Sequence, residues 1–211
     1  MCKNIQGVVL SYQQSDEITL VLVDYEKLNT SPYFDYEVQK LCSIIASMAT
    51  MAFNNAFCVN AKPVLRRIKN TPTCTTEENR YATVLERCIS NGAMFDTRVF
   101  SIPKDEVVNL LYWRQLDATR NSIQMVGQAN FSHKQLQDKN CNDIQDMLML
   151  EKGINWNDYP TTLKRGSYCI KKLFKINEGT DKETMRNKWV IDNEIPIFTQ
   201  DKDYVNRLVM I

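Results

Sequence analysis

Apolar residues follow two rhythms along this chain. Ile5 to Tyr12 (IQGVVLSY) and Ile18 to Val23 (ITLVLV) are short runs rich in β-branched residues, which predicts two strands. The polar stretch Gln13-Gln14-Ser15-Asp16-Glu17 between them is short enough for a hairpin connection. In the second run Ile18, Leu20 and Leu22 share one face, and Thr19, Val21 and Val23 the other. Both faces are largely apolar, so this strand is expected to be central and covered on both sides. A polar connector follows from Asp24 to Ser31, with Pro32 as a helix start. Val38, Leu41, Ile45, Met48 and Ala52 then recur at spacings of three and four, predicting a helix over 36–57. Residues 60–76, with Pro63 and Pro72, read as irregular, and a short helix is expected over 77–89, ended by Asn91-Gly92. Met94 to Ile102 (MFDTRVFSI) reads as a third strand, stopped by Pro103.

Lys104-Asp105-Glu106 opens a second long helix, its acids suited to the positive end of the helix dipole. Val108, Tyr112, Leu116, Thr119, Ile123 and Val126 form one stripe on it, and Arg114, Asp117, Asn121, Gln124 and Gln128 an opposite, polar one. A further helix is expected over 142–151, broken by Gly153, and Tyr168 to Phe174 (YCIKKLF) alternates well enough for a strand. The tail over 177–211 is mixed, with short apolar pieces at 189–191 and 195–198. The order strand, strand, helix, strand, helix, strand is that of a split βαβ sandwich from which the first βα unit is missing.

Composition narrows the chemistry. Lys+Arg 26 against Asp+Glu 25 leaves a net charge of +1, so a nucleic-acid partner would have to be held by a local patch and not a global field. Seven scattered cysteines with no C-x-x-C pair fit reduced thiols better than a disulfide framework or a zinc site, and the single His133 excludes a multi-histidine metal cluster. No uninterrupted apolar run reaches the ~18 residues of a membrane span, and the start lacks a signal-peptide core, so a soluble, cytoplasmic protein is expected. Asp16 and Glu17 put carboxylates at the rim of a sheet, where Mg²⁺ could be held by one or two acids together with phosphates and water. The same residues also suit an ordinary solvated turn. Arg114, Asp117, Asn121 and Gln124, with Arg120 beside them, could grip a triphosphate or an RNA backbone, or simply face solvent. Arg66, Arg67, Lys69, Lys164, Arg165, Lys171 and Lys172 are candidate backbone contacts to nucleic acid, or solubilising surface.

Five strings come in a particular order: Gln14-Ser15-Asp16-Glu17, Phe95-Asp96-Thr97-Arg98-Val99, Tyr112-Trp113-Arg114-Gln115-Leu116-Asp117, Gly153-Ile154-Asn155-Trp156 and Lys164-Arg165-Gly166-Ser167. Together they resemble the tRNA-His guanylyltransferase family and its wider group of 3′-to-5′ RNA polymerase-like proteins, over roughly residues 7–172. The resemblance implies an α+β fold: a ferredoxin-like palm domain, an antiparallel sheet with two long helices, over residues 1–129. Residues 130–211 would be the remainder of the guanylyltransferase-like region, a small α/β extension and tail. It implies an RNA 5′-end nucleotidyltransferase that adds GMP to tRNA. ATP activates the RNA 5′ end and a GTP 3′-hydroxyl attacks it, or a 5′-triphosphate is attacked directly, with two Mg²⁺ ions clamping the reacting oxygens.

By the same resemblance Asp16 and Glu17 are the catalytic and metal-binding acids. Ser15, Arg114, Asp117 and Asn121 are expected at the nucleotides, Arg66, Arg67, Arg120, Lys164 and Arg165 at the RNA, and the assembly is expected to be a homotetramer with no membrane partner. The chain departs from the family in containing no Asp-Gly dipeptide, the string that in the family supplies a further metal-ligating aspartate from a preceding strand. Around the second helix it reads Thr119-Arg120-Asn121-Ser122, closer to bacterial and viral-type relatives that repair truncated RNA 5′ ends. Two alternatives remain: a catalytically incomplete nucleotide- or RNA-binding module, active only with the missing strand supplied in trans, and a nucleotide cyclase-like palm with no RNA role.

Overall fold

The computed structural model describes residues 1–177, 179 and 183–209. It divides into two compact units, one made of Met1 and Ser31–Ser101, the other of Cys2–Thr30 and Ile102–Ile211. The class is mixed α and β, with a four-stranded antiparallel sheet as its centre.

The second unit holds the sheet. Strands β1 (Val8–Gln14), β2 (Glu17–Leu22), β3 (Ser167–Ile176) and β4 (Thr184–Asp192) run in the order β2-β1-β3-β4. The expected central strand therefore lies elsewhere: β2 is an edge strand with exposed and half-buried positions, and β1 is the strand buried on both faces. Two apolar faces do not make a strand central when only one neighbour supplies a hydrogen-bonding ladder. The sheet packs its Leu10, Tyr12, Tyr168 and Ile170 side chains against Val107 and Leu111 of α3 (Val107–Asn130), and against Ile195, Phe198, Val205 and Val209 of the tail. The short helix ending that tail is α7 (Asp203–Val209). Helix α3 buries Val107, Leu111, Gln115 and Ala118, one position out of phase with the stripe expected from Val108, Tyr112 and Leu116. Its polar side is as expected. Beyond its middle, Ile123 joins Phe131, Ile144, Leu148 and Trp156 in a second cluster. That cluster is roofed by α4 (His133–Leu136) and α5 (Cys141–Lys152), the latter closed by Gly153 in the left-handed conformation. Helix α6 (Thr161–Arg165) leads directly into β3. The expected domain boundary at 129/130 falls at the last residues of α3, within this unit. Of the mixed tail, residues 178, 180–182, 210 and 211 lie outside the described residues.

The other unit is helical. Helix α1 (Val38–Lys69) runs about three turns past the expected end at 57, through Pro63. A proline inside a helix costs ~3 kcal/mol because it removes one backbone bond and crowds the preceding turn. Burial of Ala61 and Ile68 on either side of it offsets that cost, and Arg66, Arg67 and Lys69 gather at the negative end of the helix dipole. Over one 18-residue window α1 has a mean hydropathy of 1.4, with 11% of the window buried. By length and composition alone it is long and apolar enough to cross a membrane, although Ser43, Ser47, Thr50, the Asn54-Asn55 pair and Asn60 break its apolar runs. Helix α2 (Thr76–Asn91) starts on a reciprocal cap between Thr75 and Glu78, packs on α1 and is tied to it by a Lys69–Glu86 ion pair.

Met94–Ile102 is not a strand. It keeps the alternation that suggested one, half-buried and exposed positions taking turns from Ala93 onward. At its start, backbone groups of Ala93 and Phe95 bond to side chains of α1 and not to a ladder. The Asn54 amide donates to the Ala93 carbonyl and accepts from the Ala93 N–H, both at 2.8 Å, and the Phe95 N–H donates to Thr50 Oγ1 at 3.2 Å. Side chains imitating a neighbouring strand satisfy these groups without making a sheet.

Candidate functional site

The β1–β2 hairpin turns in two residues, Ser15 and Asp16, between the paired positions Gln14 and Glu17. Ser15 takes the left-handed conformation, with φ of 48°, which lets so short a turn close. Asp16 stands exposed at the tip with no ion pair among the described residues, and the Ser15 carbonyl accepts from Gln13 Nε2 at 3.1 Å. Glu17 behaves differently. Its Oε2 accepts from Arg114 at 2.8 Å and from Gln14 Nε2 at 2.8 Å, which joins the hairpin to the polar side of α3. One turn further along that helix, Asn121 Nδ2 donates to Asp117 Oδ2 at 3.2 Å. Arg114, Asp117 and Asn121 thus share a face, with Glu17 held against its first member. The Glu17–Arg114 pair is about two-fifths exposed on each side, where an ion pair contributes only ~0–1 kcal/mol. Its importance is placement.

Arg120 is exposed on α3. Lys164 and Arg165, on α6, are already engaged: Lys164 Nζ donates to the Asn157 carbonyl at 2.6 Å, and Arg165 Nε donates to the Ile195 carbonyl at 3.1 Å. The Arg165 carbonyl in turn accepts from the Tyr12 hydroxyl, so this arginine ties the aromatic core to the tail. Burial raises the Tyr12 phenol, against the pull of Arg165, and raises the Tyr168 phenol as well. Arg66 and Arg67 belong to the other unit, at the end of α1. A depression of about 320 Å³ between α5 and residues 155–157 contains none of the expected site residues.

Two resident metal ions do not fit the donors present. Among the described residues no group of three Asp, Glu, His or Cys side chains could hold an ion. Glu17 already spends one oxygen on Arg114 and Gln14. Asp16, exposed and unpaired, suits a single Mg²⁺ carried in on a triphosphate, an ion that takes one or two carboxylates and completes its shell with phosphate and water.

Gln14 is the residue that reading the turn as merely polar misses. It is 2% exposed, the last inward position of β1, and its Oε1 is buried with no hydrogen-bond partner among the described residues. The signal lay in the period of two: Leu10, Tyr12 and Gln14 are in phase, which aims the amide inward. Opposite it, one step beyond the paired Gln13 and Ser167, sits Gly166 with φ of +85°. A Cβ there would overlap the Gln13 carbonyl oxygen and come within 3.1 Å of Gln14 Cβ.

Known proteins share this architecture. The family model described as tRNAHis guanylyltransferase matches residues 1–103. A bacterial tRNA(His) guanylyltransferase-like protein solved in complex with ATP is 38% identical, covers 99% of this chain and 74% of its own, and superposes with a TM-score of 0.73. A bacterial protein of the same description in complex with GTP is 34% identical, with 100% and 73% covered and a TM-score of 0.69. The tRNA(His) guanylyltransferase of Saccharomyces cerevisiae, 18% identical, shares the fold with a TM-score of 0.55 over 94% of this chain and 73% of its own. An uncharacterized protein of Acanthamoeba polyphaga mimivirus is 27% identical over 182 residues, 81% of this chain; the match spans 58% of that viral protein's length. The ordered strings of the sequence, the antiparallel sheet and the bacterial relatives agree: the chain belongs to the tRNA-His guanylyltransferase family.

Proposed function

We propose that this protein adds a guanine nucleotide to the 5′ end of a tRNA or a related RNA. The observation that carries the reading is the 2.8 Å contact between Glu17 and Arg114, which brings the acidic hairpin and the polar face of α3 into one place. On that surface Asp16 receives a triphosphate with its Mg²⁺, which when bound neutralises phosphate charge and makes the leaving group better. Arg114, partly neutralised by Glu17, keeps N–H donors for phosphate oxygens, and Asp117 and Asn121 offer an acceptor and a donor for a second nucleotide one turn along. The hydroxyl at the 3′ position of GTP attacks the α-phosphorus of a 5′-triphosphorylated RNA. A phosphodiester bond forms, the α–β phosphoanhydride bond breaks, pyrophosphate leaves and the hydroxyl proton passes to Glu17 or water. With a 5′-monophosphate, the RNA phosphate first attacks the α-phosphorus of ATP, forming an adenylylated 5′ end as the α–β bond breaks and pyrophosphate leaves; the GTP 3′-hydroxyl then attacks the RNA phosphorus and AMP leaves. Arg66, Arg67, Arg120, Lys164 and Arg165 are proposed RNA contacts, and the setting is proposed to be a cytoplasmic homo-oligomer. The bacterial relatives that bind ATP and GTP support the choice of substrates.

The test is incubation of the purified chain with α-labelled GTP, Mg²⁺ and a 5′-triphosphorylated tRNA transcript. Label in the RNA, at its 5′ end, is the expected result; none overturns the catalytic reading. A second reading, binding of triphosphate and RNA without transfer, is favoured by the small donor set at the hairpin. It predicts that the same mixture gives a complex of protein and nucleotide and no labelled RNA.

A further inference from the structure

We propose that Cys2 and Cys169 form a modification site, a thiol pair that a hydroperoxide converts into a disulfide joining the segment before β1 to strand β3. The inference goes beyond the nucleotidyl-transfer reading and uses none of its residues. Cys169 lies in β3 directly opposite Ser11 of β1. Its neighbours Tyr168 and Ile170 point into the main core, so the period of two turns Cys169 to the reverse face of the sheet, beside the buried Ser11. The single 3₁₀ turn Cys2–Asn4 packs against β1. Two fixtures behind that turn hold it there. Ile5 is buried, and the Gly7 carbonyl accepts from the Val23 N–H at 2.8 Å, just past the end of β2. The two thiols thereby meet, the Cys169 S–H donating to the Cys2 sulfur. Thiols in hydrogen-bond contact reach an S–S bond of ~2 Å by rotation of their side chains. The remaining cysteines are placed differently: Cys42, Cys58, Cys74 and Cys88 belong to the helical unit, and Cys141 opens α5.

Both thiols are free and partly exposed, open to a small oxidant. Burial, with Cys2 beside it, pushes the Cys169 thiol up to about 11, so Cys169 stays protonated and reacts second. The Cys2 thiolate attacks one oxygen of the hydroperoxide and the O–O bond breaks. The departing oxygen takes up the proton that Cys2 gave up, and Cys2 becomes a sulfenic acid. The Cys169 sulfur, losing its proton, then attacks the Cys2 sulfur. The S–O bond breaks and the hydroxyl leaves with that proton as water. Each sulfur has lost one electron and the hydroperoxide has gained two. The linkage closes a loop from residue 2 to residue 169, and so long a closed loop restricts the unfolded chain strongly.

The experiment treats the purified full chain with an equimolar amount of hydrogen peroxide, in buffer and in urea, blocks the free thiols and maps the linkages by peptide mass spectrometry. In buffer the expected product carries a Cys2–Cys169 linked peptide and has five blockable thiols, two fewer than the seven of the reduced chain. Its unfolding midpoint is expected to rise by about 5 °C or more, and dithiothreitol is expected to reverse all of these changes. Cys169→Ser is expected to show neither linkage nor rise, and to retain the sulfenic acid at Cys2. In urea the preference for this pair is expected to vanish, because the fold creates it. Cys2 and Cys169 recovered unlinked, a different pair linked in their place, or the same pair linked as readily in urea as in buffer overturns the proposal. A linked chain that unfolds at the reduced midpoint overturns the staple.

Discussion

Two carboxamides are buried in the second unit, and they are spent differently. Gln115, 4% exposed in the middle of α3, donates to the Pro196 carbonyl and accepts from the Phe198 N–H, both at 2.9 Å. Both arms are used on backbone groups of the tail, which is thereby riveted under the helix with Phe198 in the core. Gln14, 2% exposed at the hairpin, uses one arm on a half-exposed carboxylate and leaves the other unpaired. A fully satisfied buried amide fixes a fold. A half-satisfied one, bonded to a carboxylate that also meets an arginine, contributes less to the fold.

The contrast breaks most clearly by removing each amide in turn. Gln115→Leu strands two buried backbone groups, each worth ~1–3 kcal/mol, and should lower unfolding free energy in urea by about 2–5 kcal/mol. Gln14→Leu deletes an unpaired acceptor and should leave stability within about 1 kcal/mol of the parent. Equal losses in the two variants would erase the distinction. Gly166→Ala comes next. It places a Cβ against backbone in a left-handed conformation and should cost about 2 kcal/mol or more in thermal unfolding. An unperturbed midpoint would mean that β3 can shift away from the hairpin, leaving Gln14 undisturbed.

The smallest effect belongs to the opposite edge of the sheet. Burial works against the charged form of Asp192, but the Tyr204 hydroxyl, the Glu194 N–H and Lys172 outweigh it and hold the carboxyl below its ordinary value. A lowered folded-state pKa contributes stability that is fully present above the unfolded value of ~3.9 and lost as the pH falls through the folded one. Asp192→Asn should therefore be less stable than the parent at pH 6 by under about 1 kcal/mol, and the difference should shrink at pH 2. A gap that widens in acid would reverse the sign argued for this group.

Much of this was legible before the fold was known. Asn91-Gly92 closes α2 and Lys104-Asp105-Glu106 leads into α3 because cap and dipole chemistry act locally. Asp16 and Glu17 sit at a two-residue turn because the flanking runs pair in register. What escaped depended on neighbours far along the chain. Met94–Ile102 had the right period, yet Asn54, 39 residues before Ala93, and Thr50, 45 before Phe95, took bonds that a ladder would have made. The edge position of β2 follows from which strands pair with β1, and β4 could not be ranked ahead of 94–102 from its own mixed composition. Pro63 marked a helix end by local rules, and burial on both sides of it overrode them. At the hairpin, reading composition hid Gln14, while reading phase would have exposed it.

The central claim is that the hairpin acids serve nucleotide transfer. It is tested most directly by comparing 5′-end labelling of a tRNA transcript by the parent chain and by Asp16→Ala. The account predicts labelling by the parent and a loss of at least about a hundredfold in the variant, in keeping with removal of an electrostatic contact to a reacting phosphate. Labelling by Asp16→Ala at the parent rate would contradict it.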